Sequence, residues 1–131
     1  MADLTYAEGL AASLPVKDET SESDLISLVD IVITGVETPW HHFGLLSYKP
    51  EADGVEVPWA TITPLSDSGA PNACDLYAST IREAVTAYLQ ARLDSGMAPA
   101  EAAKMVDGSY TDAVVADSIL QFALYGEEIY S

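Results

Sequence analysis

A long amphipathic segment in the second half of the chain restricts its fold more than any other feature. Between residues 75 and 93 the apolar side chains recur every three or four positions, which places them on one face of an α-helix. Residues 75–104 also contain four acidic and three basic residues, the most balanced charge in the chain. We therefore predict that a helix over 75–93, ended by Gly96, forms the structural centre. Its predicted buried face comprises Tyr77, Ile81, Ala84, Val85, Tyr88 and Leu89.

Helical spacing also recurs towards both ends of the chain. Residues 3–14 predict a short helix that Asp3 can cap and that Pro15 ends. Pro99 is suited to the first turn of another short helix, through Val106. A last helix is predicted from Ser109 and Asp112 to Gly126, with Val115, Ile119, Phe122 and Ala123 facing inward.

The middle of the chain favours β structure. Residues 43–48 and 55–62 are typical of strands, and 49–54 join them as a turn. Residues 25–36 contain both helical spacing and a β-branched run, and we predict a helical turn that passes into a strand ending near Gly35. The fold class is therefore α+β in a single domain over 1–131: an N-terminal helix, a small antiparallel sheet of two or three strands at about 29–63, and three C-terminal helices packed on it.

The net charge of the chain limits the kinds of partner that it is expected to bind. The chain has 5 basic and 21 acidic residues, a formal net charge of −16. Nucleic acids and anionic membranes are held by clustered Lys and Arg, so neither is expected to bind directly. No apolar run reaches the ~18 residues that cross a bilayer. The single cysteine and the lack of a basic N-terminal region favour the cytoplasm, or a virion.

Two groups of acidic residues are candidate partner-binding strips. Carboxylates can occupy a basic groove that is built for phosphates. The alternative is a solvated coat, including one adapted to high salt. The first strip is Asp18, Glu19, Glu22 and Asp24, and the second is Asp107, Asp112, Asp117, Glu127 and Glu128.

A short sequence echo adds two aromatic candidates. Gly35 to Trp40 (GVETPW) is followed nineteen residues later by Gly54 to Trp59 (GVEVPW). Two similar strand starts with both tryptophans in the core would explain the echo. The alternative is that Trp40 and Trp59 form an aromatic platform for a partner.

No motif predicts catalysis, a metal or a cofactor. His41 and His42 are adjacent, so on a strand they would point to opposite faces and could not easily share a metal. Cys74 and the serines lie in no nucleophile motif, and no phosphate-binding glycine loop is present.

In size and charge alone, the chain is similar to the acidic inhibitors, DNA-mimic antirestriction and anti-CRISPR proteins, that viruses and mobile elements aim at nucleic-acid enzymes. This similarity implies a non-catalytic protein, monomeric or a small homo-oligomer, that binds a basic nucleic-acid-handling host protein. A virion structural or assembly component, of head–tail connector or decoration type, is an open alternative, as is a halophile surface-adapted domain.

Overall fold

A computed structural model of the chain describes residues 4–16, 26–37, 42–64, 73–106 and 113–128. Over these ranges it contains helices and a three-stranded antiparallel sheet, which confirms the mixed α+β class. None of the helices in these ranges is long and apolar enough to cross a membrane. The helices are α1 (Leu4–Ser13), α2 (Leu28–Val36), α3 (Ala78–Asp94), α4 (Pro99–Lys104) and α5 (Ala113–Tyr125), and the strands are β1 (Gly44–Tyr48), β2 (Ala60–Thr63) and β3 (Cys74–Asp75).

The predicted central helix is present as α3. It packs against both α1 and α5, and it contributes to the hydrophobic core through one continuous face. It begins at Ala78 rather than Asp75, because Cys74 and Asp75 pair with β2 as the edge strand β3. Its buried residues are Ala78, Ile81, Ala84, Val85, Tyr88, Leu89 and Leu93.

An arginine of α3 forms hydrogen bonds with the C-terminal end of α1. The Nε and Nη2 atoms of Arg82 donate to the carbonyl oxygens of Ala11 and Leu14, at 3.3 and 3.1 Å. The last carbonyls of a helix lack intrahelical partners and carry partial negative charge, so a guanidinium is well suited to them. Arg82 therefore serves the interior packing of the fold.

Residues 28–36 are helical throughout, so the predicted passage into a strand near Gly35 is wrong. Ser27 caps α2, since its Oγ accepts from the backbone N–H of Asp30 at 3.2 Å and donates to the Asp30 carboxylate at 2.7 Å. Both Ile31 and Val32 are buried in the core, and α2 packs against α5. Burial of this face overrides the strand preference of the β-branched run.

The sheet begins at Gly44 rather than near residue 29, and its strand order is β1-β2-β3. Strand β2 is shorter than the predicted 55–62, because residues 55–57 lie in the loop that precedes it. Edge strand β1 carries a bulge at Leu46, where the pairing register shifts between Leu45 and Ser47. The bulge interrupts regular pairing along this edge.

The described residues of the two halves of the sequence echo, 35–37 and 54–59, have different structures. Gly35 lies inside α2, where an added Cβ would come 2.5 Å from Cδ1 of Leu120 on α5. Gly54 lies in the β1–β2 loop with φ +74°, and an added Cβ would overlap the indole ring of Trp59. The interpretation of the echo as two similar strand starts is therefore wrong, because the first copy ends a helix.

The start of α4 and the end of α5 lie at the proline and glycine that predicted them. Helix α4 begins at Pro99 and ends at Lys104, two residues before the predicted end, and α5 ends immediately before Gly126. Several predicted features lie outside the described residues: the cap Asp3, the acidic linker 17–24, the loop 66–72 and the start of the last helix at Ser109 and Asp112.

Candidate functional site

Most acidic side chains in the described ranges face solvent. They belong to every part of the fold, from α1 to the segment after α5, and they form no single cluster in sequence. The exposed acidic residues are Glu8, Glu37, Glu51, Asp53, Glu56, Asp75, Glu83, Asp94, Glu101 and Glu127.

The arginines do little to offset this negative surface. Arg82 is used by the carbonyls of α1. Arg92 lies over the Tyr88 ring, 4.8 Å from its centroid, and pairs with Glu128 at 3.1 Å. Both guanidinium groups therefore serve contacts within the fold. The same contacts take up Glu128, and Asp117 is buried, so the excess of acidic residues on the surface is the one that the sequence count gives.

The two predicted acidic strips differ in what the structure describes. The whole first strip, Asp18, Glu19, Glu22 and Asp24, lies outside the described residues, as do Asp107 and Asp112 of the second. Within the second strip Glu127 is exposed, while Glu128 is engaged by Arg92. Asp117 is only 3% exposed, which corrects its assignment to a partner-binding face.

The structure describes only one of the two candidate tryptophans. Trp40 lies outside the described residues, so its placement stays a prediction. Trp59 is completely buried, and its indole N–H donates to the carbonyl oxygen of Ala52 at 2.9 Å. Trp59 is therefore a core residue, and this corrects its assignment to an aromatic platform.

A buried polar cluster joins the start of β1 to α5. Asp117 and Gln121 lie one turn apart on α5, and the Gln121 amide donates to Oδ2 of Asp117 at 2.9 Å. Nδ1 of His42 lies 2.5 Å from the same oxygen. One turn further on, the Tyr125 hydroxyl donates to the His42 carbonyl oxygen at 2.9 Å. Asp117, Gln121 and Tyr125 have local helical spacing, but His42 is far away in sequence, so spacing alone could not have predicted its approach.

The chemistry of this cluster favours a structural role. A buried carboxylate is costly unless it is paired or hydrogen-bonded, and His42 and Gln121 provide those contacts to Oδ2 of Asp117, while Oδ1 is buried without a hydrogen-bond partner in the described parts of the chain. A histidine held by a carboxylate also orients general bases in enzymes, where it acts on a nearby nucleophile or substrate. Burial, followed by the charge of Asp75, raises the pKa of the Cys74 thiol, which lowers the fraction of reactive thiolate. The thiol lies 3.6 Å from the Ala123 carbonyl oxygen.

No group of three or more His, Cys, Asp or Glu side chains in the described parts of the chain is arranged to hold a metal ion. His41 lies outside these parts. The expectation that the protein uses neither a metal nor a cofactor thus stays a prediction.

One exposed feature was not predicted from the sequence. The loop of residues 53–57, named here the valine loop, presents Val55 at 70% exposure and Val57 at 42%. Val55 is the most exposed large hydrophobic residue in the described ranges. The alternating pattern of 55–62 had indicated a strand, which would have hidden part of this surface. The Asp53-Gly54 pair, typical of a turn, was the available signal that the loop continues.

Comparison of the chain with protein-family models, with curated proteins and with solved structures finds no match. Inference about function therefore depends on the residues and contacts described above.

Proposed function

We propose that this protein is a non-catalytic acidic binder that engages a basic protein surface. Its partner is a nucleic-acid-handling host protein, and binding inhibits that protein by covering the surface that phosphates would contact. Carboxylates presented to a basic groove satisfy the same Lys and Arg side chains that phosphates satisfy. The protein would act in the cytoplasm of a host cell, as a virus- or mobile-element-encoded factor.

The use of both arginines inside the fold is the observation that carries this proposal. Because Arg82 and Arg92 bind carbonyls, a ring and Glu128, neither arginine pairs with the exposed carboxylates, of which Glu101 pairs with Lys104 at 3.7 Å. Such a surface attracts cations over a screening length of ~8 Å at physiological ionic strength. It also repels phosphate, which supports a protein partner over a nucleic acid.

The experiment first identifies the partner and then measures the contribution of each face. The protein is captured with its partner from a host lysate, and the partner is purified for equilibrium binding across a salt series. The first variant reverses the predicted strip, with Asp18, Glu19, Glu22 and Asp24 each replaced by Lys. A control variant reverses four exposed acids elsewhere, Glu8, Glu37, Glu83 and Asp94, so that both have the same net charge.

We expect the affinity of the parent to fall steeply with salt, and the strip variant to bind more weakly than the control variant at equal salt. Equal losses in both variants would show that overall charge, rather than a defined face, drives association. Affinity that depends neither on salt nor on either set of reversals would contradict the proposal. Far-UV circular dichroism of all variants checks that the fold is retained.

The open alternatives predict different measurements. A virion assembly component forms a ring or a larger assembly in size-exclusion chromatography with light scattering, whereas the proposed inhibitor is a monomer or small oligomer. An acidic coat adapted to high salt gains folding stability as salt is added, because screening relieves repulsion within a chain of net charge −16.

A further inference from the structure

The valine loop combines exposed apolar side chains with an unusually well-fixed backbone. Oδ1 of Asp53 accepts hydrogen bonds from the backbone N–H groups of Val55, Glu56 and Val57, at 2.9, 2.9 and 3.0 Å. The Gly54 N–H donates to the Val57 carbonyl oxygen at 3.0 Å. These bonds close the loop on itself, so its conformation is set before any partner arrives.

The valine loop is also held to the core by a hydrogen bond to α3 and by contact with Trp59. The Gly54 carbonyl oxygen accepts from the Ala78 N–H at the start of α3, at 2.7 Å. Trp59 packs directly beneath Gly54, and its indole N–H holds the Ala52 carbonyl oxygen. The valine side chains are therefore displayed on a rigid support. Fixing a binding segment in advance lowers the entropy lost when it is bound.

Folding does not require Val55 to be apolar. Its side chain is 70% exposed, whereas that of Val57 is 42% exposed, and the contacts that hold the loop involve the Asp53 carboxylate and backbone groups. An exposed apolar side chain on a fixed support can bury apolar surface against a partner at little cost in entropy. The exposure of Val55 is thus better explained by binding than by stability.

The surroundings of the loop define the chemistry of what can cover it. Glu51 and Glu56 are exposed on either side of Gly54. Burial raises the pKa of Tyr48 to about 12, and its hydrogen bond to Glu37 and the charges of Glu37 and Glu51 add to the rise, so carboxylates lie close to this end of the sheet. A second copy of the chain would bring like charges together here, whereas a basic segment would be attracted.

We propose that the valine loop is the apolar anchor of the partner interface: Val55 and Val57 contact apolar side chains of a basic partner segment, and Glu51 and Glu56 pair with its lysines or arginines. This inference rests on the proposed function and deepens it by naming the contact surface and the composition of the segment that it binds. The acidic strips would then guide association, and the valine loop would limit dissociation.

The test uses three short synthetic peptides of one helical pattern as probes. The first combines leucines with lysines, the second replaces its leucines with serine, and the third replaces its lysines with glutamate. The variant is Val55→Asn with Val57→Asn. A matched control changes two other exposed apolar residues, Leu46→Asn with Val114→Asn, whose exposures are 65% and 60%.

We expect the parent to bind the leucine–lysine peptide at least about tenfold more tightly than the serine–lysine peptide, and to bind the leucine–glutamate peptide least. The valine variant should lose this preference for leucine, while the control variant should keep it. A parent that binds both lysine peptides equally would overturn the anchor but leave salt-dependent binding of a basic surface intact. Failure to bind either lysine peptide would count against both proposals.

A second pair of variants isolates the rigidity of the loop. Asp53→Asn and Asp53→Ala remove the same charge, but only asparagine keeps a side-chain oxygen that can accept the three N–H groups. Preorganisation predicts weaker binding of the leucine–lysine peptide by Asp53→Ala than by Asp53→Asn. Equal affinities would overturn it. Self-association of the parent that the valine variant abolishes, seen in sedimentation velocity, would identify a second copy as the occupant and refute the proposal.

Discussion

Replacing Trp59 with alanine tests the described core where the sheet meets the valine loop. The indole ring is completely buried beneath Gly54, and its N–H holds the Ala52 carbonyl oxygen. Removing a buried aromatic ring costs about 3–5 kcal/mol, through lost burial and the cavity that remains. A small domain is stable by only about 5–15 kcal/mol in total. We therefore expect Trp59→Ala to lose a large part of the free energy of unfolding.

Trp59→Phe separates the ring from its hydrogen bond. Phenylalanine fills most of the site but leaves the Ala52 carbonyl oxygen without its donor, which costs about 1–3 kcal/mol. Val55→Ala is the matched control on the same loop, because its side chain is 70% exposed. A change at such a site is expected to stay within about 0.5 kcal/mol of the parent.

Urea denaturation followed by far-UV circular dichroism measures all three variants, at one fixed ionic strength because the chain is so acidic. The expected order of destabilisation is Trp59→Ala, then Trp59→Phe, then Val55→Ala. A Trp59→Ala protein that unfolds within about 1 kcal/mol of the parent would refute the burial of this ring and, with it, the support proposed for the valine loop.

Three further predictions concern individual side chains. Ile81→Asp places an unpaired carboxylate at a fully buried position of α3, at a cost of several kcal/mol, so a variant with the same urea midpoint as the parent would contradict the burial of this face. In a difference titration against Tyr48→Phe, Tyr48 should ionise near pH 12, and Glu37→Gln should lower that value. Because the folded-state pKa is raised, the contribution of Tyr48 to stability is present below about pH 10 and is lost as the pH rises towards 12; ionisation at the ordinary value would contradict this. Iodoacetamide should alkylate Cys74 more slowly than a cysteine peptide, and Asp75→Asn should accelerate the reaction, whereas equal rates would show that the thiol is not shielded.

The helices could be predicted from the sequence where periodicity and a stop signal agreed. Spacing correctly predicted the buried face of α3 from Ile81 to Leu89, and Gly96 predicted its end, since both are local signals. The inclusion of Tyr77 in that face was wrong, because Tyr77 precedes the helix as its N-cap and is only half-buried. The strand expected near Gly35 failed because burial against α5 decides the conformation of a short β-branched run, and no local signal reports that burial. Strand β3 was missed because two residues are too few to show alternation.

The candidate site was less predictable than the fold. Sequence alone assigned Asp117 to the surface with the other acids, and only the approach of His42 and Gln121 in three dimensions explains its burial. Whether an aspartate is solvated or buried depends on contacts between distant segments. The valine loop could not be predicted for a related reason. The three hydrogen bonds from backbone N–H groups to Asp53 form only when the backbone is folded.

The two glycines of the sequence echo should behave differently under genetic suppression. An alanine at Gly35 would lie 2.5 Å from the Leu120 side chain and 3.3 Å from the Ala116 carbonyl oxygen, so a smaller residue at 120 relieves the closest of these contacts as a second-site change. An alanine at Gly54 would meet the Trp59 ring and would also have to adopt a left-handed backbone conformation, at φ +74°. No single second change removes both obstacles. The two Gly-Val pairs of the echo therefore tolerate substitution differently. A change at Gly35 can be compensated by a change at position 120, whereas a change at Gly54 cannot be compensated by one second substitution.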